Sequence, residues 1–526
     1  MTRLPANFSF DHLTDPLSEA AARLTENALP GFFPRHRWFT SKGSTIKDCA
    51  IAEAHALGED YLILVVELTY AAGEPRRELY QLPVARITDP ERIEYYKQEK
   101  PRQIIAGTDT LILVDAVHEP DFRDELFRAM RDRRGDGRGL NFEAGAVLGA
   151  ETGEVSSRAL PETSSNTALL YNDNYFFKLF RKLERALNPD LELIRFLSDR
   201  TEFQNCPRYG GSVTVGSEGT DEYINLGLLL NKIDNRGDAW EWSQAELAQT
   251  YRRQLERGNG APPADYSEAA ALNFMGEAMR DRIALLGKRT AEMHLALASD
   301  REDDDFLPEP LTADYREELY RAARRIRDEK LAPLKDRLAD LPAAVRPIAD
   351  EVLARWDEMN SRLEAILQTD FTALLTRIHG DYHLGQVLVT DDDFAIIDFE
   401  GEPLLTIPER RRKRPPYKDV AGMLRSLHYA AEGCLLLDES FSDEERAALR
   451  PWSAAWVRLA RATYLDAYHA TAGDADFLPA DPDQRRQLLA HFSLEKAMYE
   501  VAYELNSRPD WLSIPLRGVL DSLAEE

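Results

Sequence analysis

The sequence predicts an α+β protein in two lobes, the first rich in antiparallel strands and the second mostly helical. Three observations carry this. Short apolar and β-branched runs, parted by turn residues, recur through positions 46–234. Apolar residues at three- and four-residue steps fill most of 243–378 and return from 419 to 524. Between those helical stretches lies a hairpin, Val387-Leu388-Val389 and Phe394-Ala395-Ile396-Ile397, turning on Asp391-Asp392-Asp393. A chain of 526 residues is too long for one core. The expected division is 1–135, a small α+β domain of its own; 136–234, a strand-rich lobe; and 235–526, the helical lobe.

Taken in order, the first element is a helix over Pro16–Ala28, with proline at its first position, where the missing N–H costs nothing. The aromatic, turn-rich segment from Leu29 to Gly43 reads as a docked loop. Strands follow at Ile46–Ala56, Tyr61–Tyr70, Glu78–Ile87 and Thr110–Ala116, then a helix at Asp121–Arg133. The glycine- and arginine-rich run 131–139 reads as an exposed linker. Strands return at Leu140–Gly149, Glu154–Ala159, Thr167–Tyr171 and Tyr175–Leu179. A helix at Asn188–Ser198 and a buried-strand pattern at Glu222–Asp234 complete the first lobe. Beyond it come helices Ser243–Arg257, Ser267–Ser299, Ala313–Ala339 and Ala343–Leu367. The last two are highly charged and read as a hairpin that projects from the lobe or covers it. Further helices are expected at Asp419–Glu432, Asp443–Thr471, Pro482–Ser507 and Leu512–Ala524. His294, on an apolar helix face, reads as a core histidine.

Composition narrows the function. Acids outnumber bases 92 to 65, for a net charge of −27, which disfavours non-specific binding to nucleic acid or to anionic membranes. Three widely spaced cysteines, Cys49, Cys206 and Cys434, suggest neither a disulfide scaffold nor a zinc site. No apolar run reaches membrane-span length, and the N-terminus has no apolar signal core. The expected setting is the cytoplasm and the expected partner a small, soluble substrate.

The chemistry lies at the open end of the hairpin. Asp381 precedes Gln386 by five residues, the interval between base and metal-binding amide in a kinase catalytic loop. The second strand ends in Ile397-Asp398-Phe399-Glu400, where a kinase has Asp-Phe-Gly. A carboxylate suits a base beside an attacking hydroxyl. Mg²⁺ takes oxygen ligands and few from protein, so the amide of Gln386 and the carboxylate of Asp398, with Glu400 beside them, suffice. Phosphoryl transfer asks for positioning and charge neutralisation more than covalent help. Two rival readings stand beside this one. His379, Asp381 and His383 alternate as strand-spaced metallohydrolase ligands would, and hairpins with acidic ends are common structural features.

The first lobe agrees with the kinase reading. Lys178, on a strand, and Glu192, on the following helix, are expected to pair and hold nucleotide phosphates. Ser165, in Thr163-Ser164-Ser165-Asn166-Thr167, stands where a Gly-rich phosphate loop would be. Backbone groups of Asn231, Lys232 and Ile233 are expected to meet an adenine edge. The basic run 410–414 reads as an activation-type loop, an anion-side wall or a solvated loop, and less readily as a nucleic-acid patch.

These residues resemble a known family. His379-Gly-Asp-Tyr-His-Leu-Gly-Gln386 with Ile397-Asp-Phe-Glu-Gly-Glu-Pro403 is similar to the bacterial maltokinases, including modules fused to trehalose synthase, and to the related glucosamine kinases. Arg37-Trp-Phe-x-x-Lys-Gly43 resembles that family's cap. Ser165-Asn-Thr167, Lys178 and Asn188-Pro-Asp-Leu-Glu192 resemble its N-lobe, and Asp419-Val-Ala-Gly-Met-Leu-Arg-Ser426 a helix start. Glu495-Lys-Ala-x-Tyr-Glu500 through Glu504-x-x-x-Arg-Pro-Asp-Trp511 resembles its C-terminal signature. The resemblance implies a protein-kinase-like bilobal fold, with cap, intermediate domain and helical C-lobe. It implies ATP as co-substrate, Mg²⁺ as cofactor, and a sugar hydroxyl as acceptor, with feeding of α-glucan and trehalose metabolism and an association with trehalose synthase. By residue, Asp381 would be the base, Gln386, Asp398 and Glu400 the metal site, and Lys178 with Glu192 the phosphate grip. His383, Arg425, Tyr499, Glu500, Glu504 and Trp511 would meet the sugar, the acids accepting hydroxyl hydrogen bonds and the aromatics stacking on a ring. The hinge lacks the family's usual acidic-aromatic character, and the chain is longer than a stand-alone maltokinase. Aromatic stacking favours maltose, phosphorylated on its anomeric hydroxyl. An aminosugar kinase on the same scaffold and a sugar-binding pseudokinase are the alternatives.

Overall fold

The structure, a computed structural model, describes every residue except 1, 5–7, 9, 16–17, 72–75, 163–164, 221, 259, 264, 266 and 525–526. The chain divides into two compact units. The first is residues 1–199 with 207–233, and the second is 200–206 with 234–526.

The first unit holds two sheets, antiparallel except where Thr2–Arg3 joins the first in parallel. The cap sheet is built on β1 (Ile46–Ala56), β2 (Tyr61–Tyr70) and β3 (Arg77–Ile87), followed by α1 (Pro90–Glu99), β4 (Ile104–Gly107), β5 (Ile112–Asp115) and α2 (Pro120–Arg131). Its order is β4-β5-β3-β2-β1, with Thr2–Arg3 beside β4. Leu62, Leu64, Val66 and Leu68 alternate on β2 and face one core with Leu24, Phe32, Phe33 and Trp38. The expected helix over Pro16–Ala28 begins outside the described residues. What is described runs as an α-helix, Glu19–Arg23, and a π-helical turn, Leu24–Ala28. Helix α1 escaped sequence reading because only Ile93 and Tyr96 are buried along it. Its start was nonetheless signalled, since Asp89 caps Arg92 N at 2.9 Å and Pro90 follows.

The second sheet takes β6 (Leu140–Ala144), β7 (Ser157–Ala159), β8 (Thr167–Tyr171), β9 (Tyr175–Leu179), β10 (Tyr209–Val215) and β11 (Ile224–Asn231), with α3 (Pro189–Arg200) between β9 and β10. Its order is β6-β10-β11-β9-β8-β7. Strand β10 was missed, because Gly210 and Gly211 interrupt its apolar pattern. Cap and second sheet are stitched together just after β9. Lys182–Leu183 pairs with β3, and Arg181, fully buried, donates to Asp115 at 2.6 Å and to Thr167 at 2.8 Å, with its guanidinium 4.6 Å from the Trp38 ring. Glu162 takes the backbone N–H of Arg37 and pairs with His36, both at 3.2 Å, and those contacts hold its carboxyl at about 2 despite burial. The Arg37-Trp38-Phe39 segment is therefore a docking element. Breaking a buried ion pair by removing one partner costs about 3–5 kcal/mol. Asp115→Ala is expected to lower the urea midpoint accordingly; an unchanged midpoint would show that the pair contributes nothing net.

In the second unit the charged helices do not project. Ala313–Arg325, Arg346–Ala354 and Trp356–Glu364 bury Ala323, Ala349, Val352, Met359 and Leu363 in one core with Leu494, Met498, Val501, Leu516 and Val519. Most of their charge lies on outer faces, so of the two readings, projecting from the lobe or covering it, the packing agrees with the second. The elements that frame the hairpin are α4 (Ala239–Arg257), α5 (Glu277–Leu297), β12 (Val387–Val389), β13 (Phe394–Ile396), α6 (Tyr417–Leu437), α7 (Asp443–Ala472), α8 (Pro482–Ser507) and α9 (Ser513–Ala524). No described helix is long and apolar enough to cross a membrane.

Candidate active site

The hairpin is fixed at both ends. At its turn, Arg289 on α5 forks onto Asp393 at 2.8 and 2.5 Å, and Arg282 donates to the carbonyls of Asp391 and Asp393. On its edge, Asn205 donates to Phe394 O at 2.8 Å and accepts from Ile396 N through its own carbonyl at 2.8 Å.

At the open end the organiser is Asp419, which sequence reading placed in a helix start without a role. It lies in the first turn of α6, 1% exposed. Its two oxygens accept the backbone N–H groups of His379 at 2.8 Å and Gly380 at 2.9 Å, and the Nε2 of His294 at 3.2 Å. A carboxylate only accepts, so Nε2 of His294 carries the proton and Nδ1 accepts from Tyr468 Oη at 2.9 Å. His294 is a core histidine, as expected, and it also orients this acid. Burial pushes the Asp419 carboxyl up, but His294 and the loop amides outweigh it and hold the carboxyl below its usual range.

His379 locks the loop to the second strand. Its Nε2 donates to Ile397 O at 2.9 Å, and its Nδ1 accepts the Asp381 N–H at 3.4 Å. Both ring nitrogens are thereby spent, which removes His379 from the metallohydrolase reading. Gly380 has φ +87°, and a Cβ there would meet the Gly401 Cα at 3.3 Å. Gly422 of α6 permits a second close approach, since a Cβ would sit 2.7 Å from Tyr382 O. Ser426, one turn on, accepts from Leu384 N at 3.0 Å. The loop 379–386 thus rests on α6 through Asp419, Gly422 and Ser426.

Gln386 and Asp398 are brought together as the spacing predicts: Gln386 Nε2 donates to Asp398 Oδ2 at 3.0 Å, and Ile397 N donates to Gln386 O at 2.9 Å. Asp398 sits at φ +66°, a left-handed conformation that costs an L residue about 1 kcal/mol. With its amide nitrogen committed, Gln386 keeps Oε1 as a cation ligand. An amide oxygen beside Asp398 and Glu400 is a hard-oxygen donor set that fits Mg²⁺. Asp381 is half-buried. Tyr499 of α8 is pushed up to about 12, by burial and then by the carboxylates of Glu402 and Asp381. Glu402, which sequence reading passed over within Gly401-Glu402-Pro403, therefore lies at the same end as the candidate base. His383 accepts from Gly385 N at 3.1 Å, and burial lowers its pKa although Asp381 pulls the other way.

The other expected sugar contacts need correction. Glu504 is 1% exposed, and Arg508 forks onto it at 2.9 and 2.7 Å while Tyr429 donates at 3.2 Å, so its oxygens are saturated. Glu500 accepts from buried Arg425 at 2.9 Å. Trp511 lies 6.2 Å from the Tyr429 ring, nearly parallel at 19°, with the Arg508 guanidinium 4.7 Å from its centroid. Arg425, Glu500, Glu504 and Trp511 thus bond chiefly with the protein, while Tyr499 and Lys496 of the C-terminal signature lie at the Asp381 end, Lys496 acting on His383.

In the first unit, Lys178 donates to Asp190 at 3.0 Å. Asp190 was not singled out from the sequence; it sits two residues before the expected partner Glu192, and both are buried in the first turn of α3. The position was legible, since Asn188 caps Asp190 N at 2.8 Å. The hinge expectation also needs correction. Asn231 N donates to Arg208 O at 3.1 Å and Lys232 N to Asn174 O at 2.7 Å, so neither amide is available to an adenine edge. Ile233 follows them at the end of the unit. Ser165 is in an exposed bend; Thr163 and Ser164 lie outside the described residues.

Three residues of the basic run 410–414 are paired with acids. Arg412 forks onto Glu318 at 2.8 and 2.7 Å, Arg411 reaches Asp305 at 3.0 Å, and Lys413 pairs with Glu309. Those three contacts clamp the run onto the acidic segment 304–318.

Residues 32–119 match the maltokinase N-terminal cap domain. A glucosamine kinase of Streptacidiphilus jiangxiensis is 26% identical over 424 residues, 77% of this chain and 85% of that one. A glucosamine kinase of Mycolicibacterium smegmatis is 34% identical over 152 residues, 28% of this chain and 34% of that one. Among solved structures, a glucosamine kinase in complex with glucosamine, ADP and inorganic phosphate has a TM-score of 0.63 at 20% identity, over 95% of this chain and 98% of that one. A further glucosamine kinase crystal form has a TM-score of 0.63 at 21% identity, over 95% and 97% of the two chains. These likenesses show a shared, kinase-like fold.

Proposed function

From the premise that the chain is a member of the maltokinase and glucosamine kinase family, which its cap domain, relatives and fold support, we propose that it is an ATP-dependent sugar kinase with glucosamine as its acceptor. The carrying observation is the open end of the hairpin, where Asp381 stands in a loop fixed by Asp419 while Gln386 and Asp398 are bonded to each other. In this reading Asp381 accepts the proton of the attacking hydroxyl. Gln386, Asp398 and Glu400 hold Mg²⁺, which when bound supplies charge neutralisation for the transferring phosphoryl group. Lys178, oriented by Asp190, holds nucleotide phosphates. His379 and Asp419 keep the loop from moving, so the base needs no reorganisation when the acceptor arrives.

The acceptor follows from which acid is uncommitted to an arginine. Glu500 and Glu504 are paired to Arg425 and Arg508, whereas Glu402 and Asp381 both act on the Tyr499 hydroxyl and so share its surroundings. A carboxylate there suits the ammonium of an aminosugar. Maltose is the second reading, favoured by the match of residues 32–119 to a maltokinase cap. The stacking argument for it weakens because Trp511 is engaged by Tyr429 and Arg508. Removing a charged hydrogen-bond partner costs about 1.5–3 kcal/mol, or roughly 10–150-fold. Glu402→Gln is therefore expected to raise KM for glucosamine at least about tenfold, with kcat changed much less. An unchanged KM would remove Glu402 from acceptor recognition.

A further inference from the structure

Asp419 is one of two anchors through which α5 and α7 reach the loop 379–386. Thr290 and His294 stand one turn apart on α5, and Tyr464 and Tyr468 one turn apart on α7. The two tyrosine rings are nearly parallel at 12°, with centroids 6.5 Å apart. The helices approach closely here, since a Cβ on Gly287 would collide with Tyr464 O. Each pair of facing residues makes one rung. The first runs from Tyr468 through His294 to Asp419, and so to the amides of His379 and Gly380. The second runs from Tyr464 through Thr290 to Tyr382, the residue next to Asp381.

The second rung depends on one hydroxyl. A threonine hydroxyl has one proton and two lone pairs. The proton of Thr290 goes to Leu286 O at 2.8 Å, one turn back on its own helix. Both lone pairs are then left to accept, and two phenols supply the donors: Tyr464 Oη at 3.0 Å and Tyr382 Oη at 2.9 Å. Thr290 and Tyr464 are fully buried, and Tyr382 is 3% exposed. Burial pushes both phenols up, so they keep the protons they donate. Valine in place of Thr290 would keep the shape and take the acceptor from both phenols, which is costly in a dry interior. Tyr382 is also confined at its backbone, where its carbonyl lies against Gly422 of α6. The neighbour of Asp381 is thus held by its carbonyl to α6 and by its side chain to α5.

We propose that Thr290 is a positioning residue for Asp381: its hydroxyl fixes Tyr382, and with it the place from which the adjoining carboxylate meets the acceptor. Its effect on turnover rests on the sugar-kinase reading; its hold on the loop does not. Displacing a reacting group by about 1 Å can cost about 100-fold in rate, so releasing one phenol in the loop is enough to be seen.

The experiment compares T290V, which loses the hydroxyl, with T290S, which keeps the hydroxyl and loses the methyl. In the full chain, kcat and the KM values for ATP and glucosamine are measured at a temperature where melting curves show each variant folded. Hydrogen exchange of the amides of 379–386 is followed relative to those of α9. T290V is expected to lose kcat roughly 10- to 100-fold while both KM values stay within about threefold, and T290S to recover most of the loss. Exchange of 379–386 should be at least about tenfold faster in T290V than in T290S. A purely structural threonine would lower the melting temperature and leave the kcat of the folded enzyme alone. Wild-type kcat in folded T290V, or equal losses in the two variants, therefore overturns the role. If T290V does not fold, Y382F breaks the same bond from the loop side and is judged against wild type by the same criteria. If the wild type phosphorylates no sugar, the kinase reading fails and exchange alone decides: faster exchange of 379–386 in T290V supports the rung, and equal exchange in T290V and T290S overturns it.

Discussion

Asp381→Asn is expected to lose turnover by about 10²–10⁴-fold while melting where the wild type does. The substitution keeps shape and hydrogen-bonding capacity but removes the group able to take a proton. The fold should not notice, because the loop is held by the backbone amides of His379 and Gly380 on Asp419 and by the His379 ring on Ile397 O, none of which involves the Asp381 carboxylate. Nucleotide affinity should change little. Steady-state kinetics beside a thermal melt check this, and a variant within a few-fold of wild type would remove Asp381 from the mechanism.

Asp419→Ala is expected to damage stability and turnover together. The carboxylate is buried, and three donors converge on it. Its removal strands two loop amides and the His294 Nε2–H in a site without water access, a loss of about 3–5 kcal/mol. The sign with pH follows from the lowered carboxyl. Its contribution is fully present above the unfolded carboxylate pKa and is lost as pH falls through the lower folded value, so the variant and wild type should converge in stability only in strong acid. Urea titrations at neutral pH and below pH 4, with turnover measured where the variant is still folded, would check both halves. A variant of unchanged midpoint and unchanged kcat would show that Asp419 does not hold the loop.

Much of the site was legible because its spacing is local. Asp381 to Gln386 and Gln386 to Asp398 lie within one hairpin, where alternation and turn residues determine which ends meet. The strands Ile46–Ala56, Tyr61–Tyr70, Thr167–Tyr171 and Tyr175–Leu179 coincide with their expected bounds for the same reason. What escaped was set by distant partners. Asp419 lies about forty positions beyond the amides it accepts, and nothing in its own helix marks it as their anchor. Glu500 and Glu504 share a helix face, as expected, but no periodicity could reveal that Arg425 and Arg508 consume them. Asp190 was not singled out beside Glu192 because both acids of the first turn of α3 suit a lysine partner, and the contact of Asp190 with Lys178 is made across packed elements.

The central claim, phosphoryl transfer from ATP to a sugar, is tested most directly by incubating the purified chain with ATP, Mg²⁺ and glucosamine, and following ADP release with ³¹P and ¹³C NMR of the sugar. Maltose, glucose and kanamycin run in parallel. The account predicts stoichiometric ADP and a phosphate ester on the 6-hydroxyl of glucosamine, absent with Asp381→Asn. An ester on maltose alone would keep the kinase and replace the acceptor. ATP left intact with every sugar, by a chain that is folded and binds nucleotide, would contradict it.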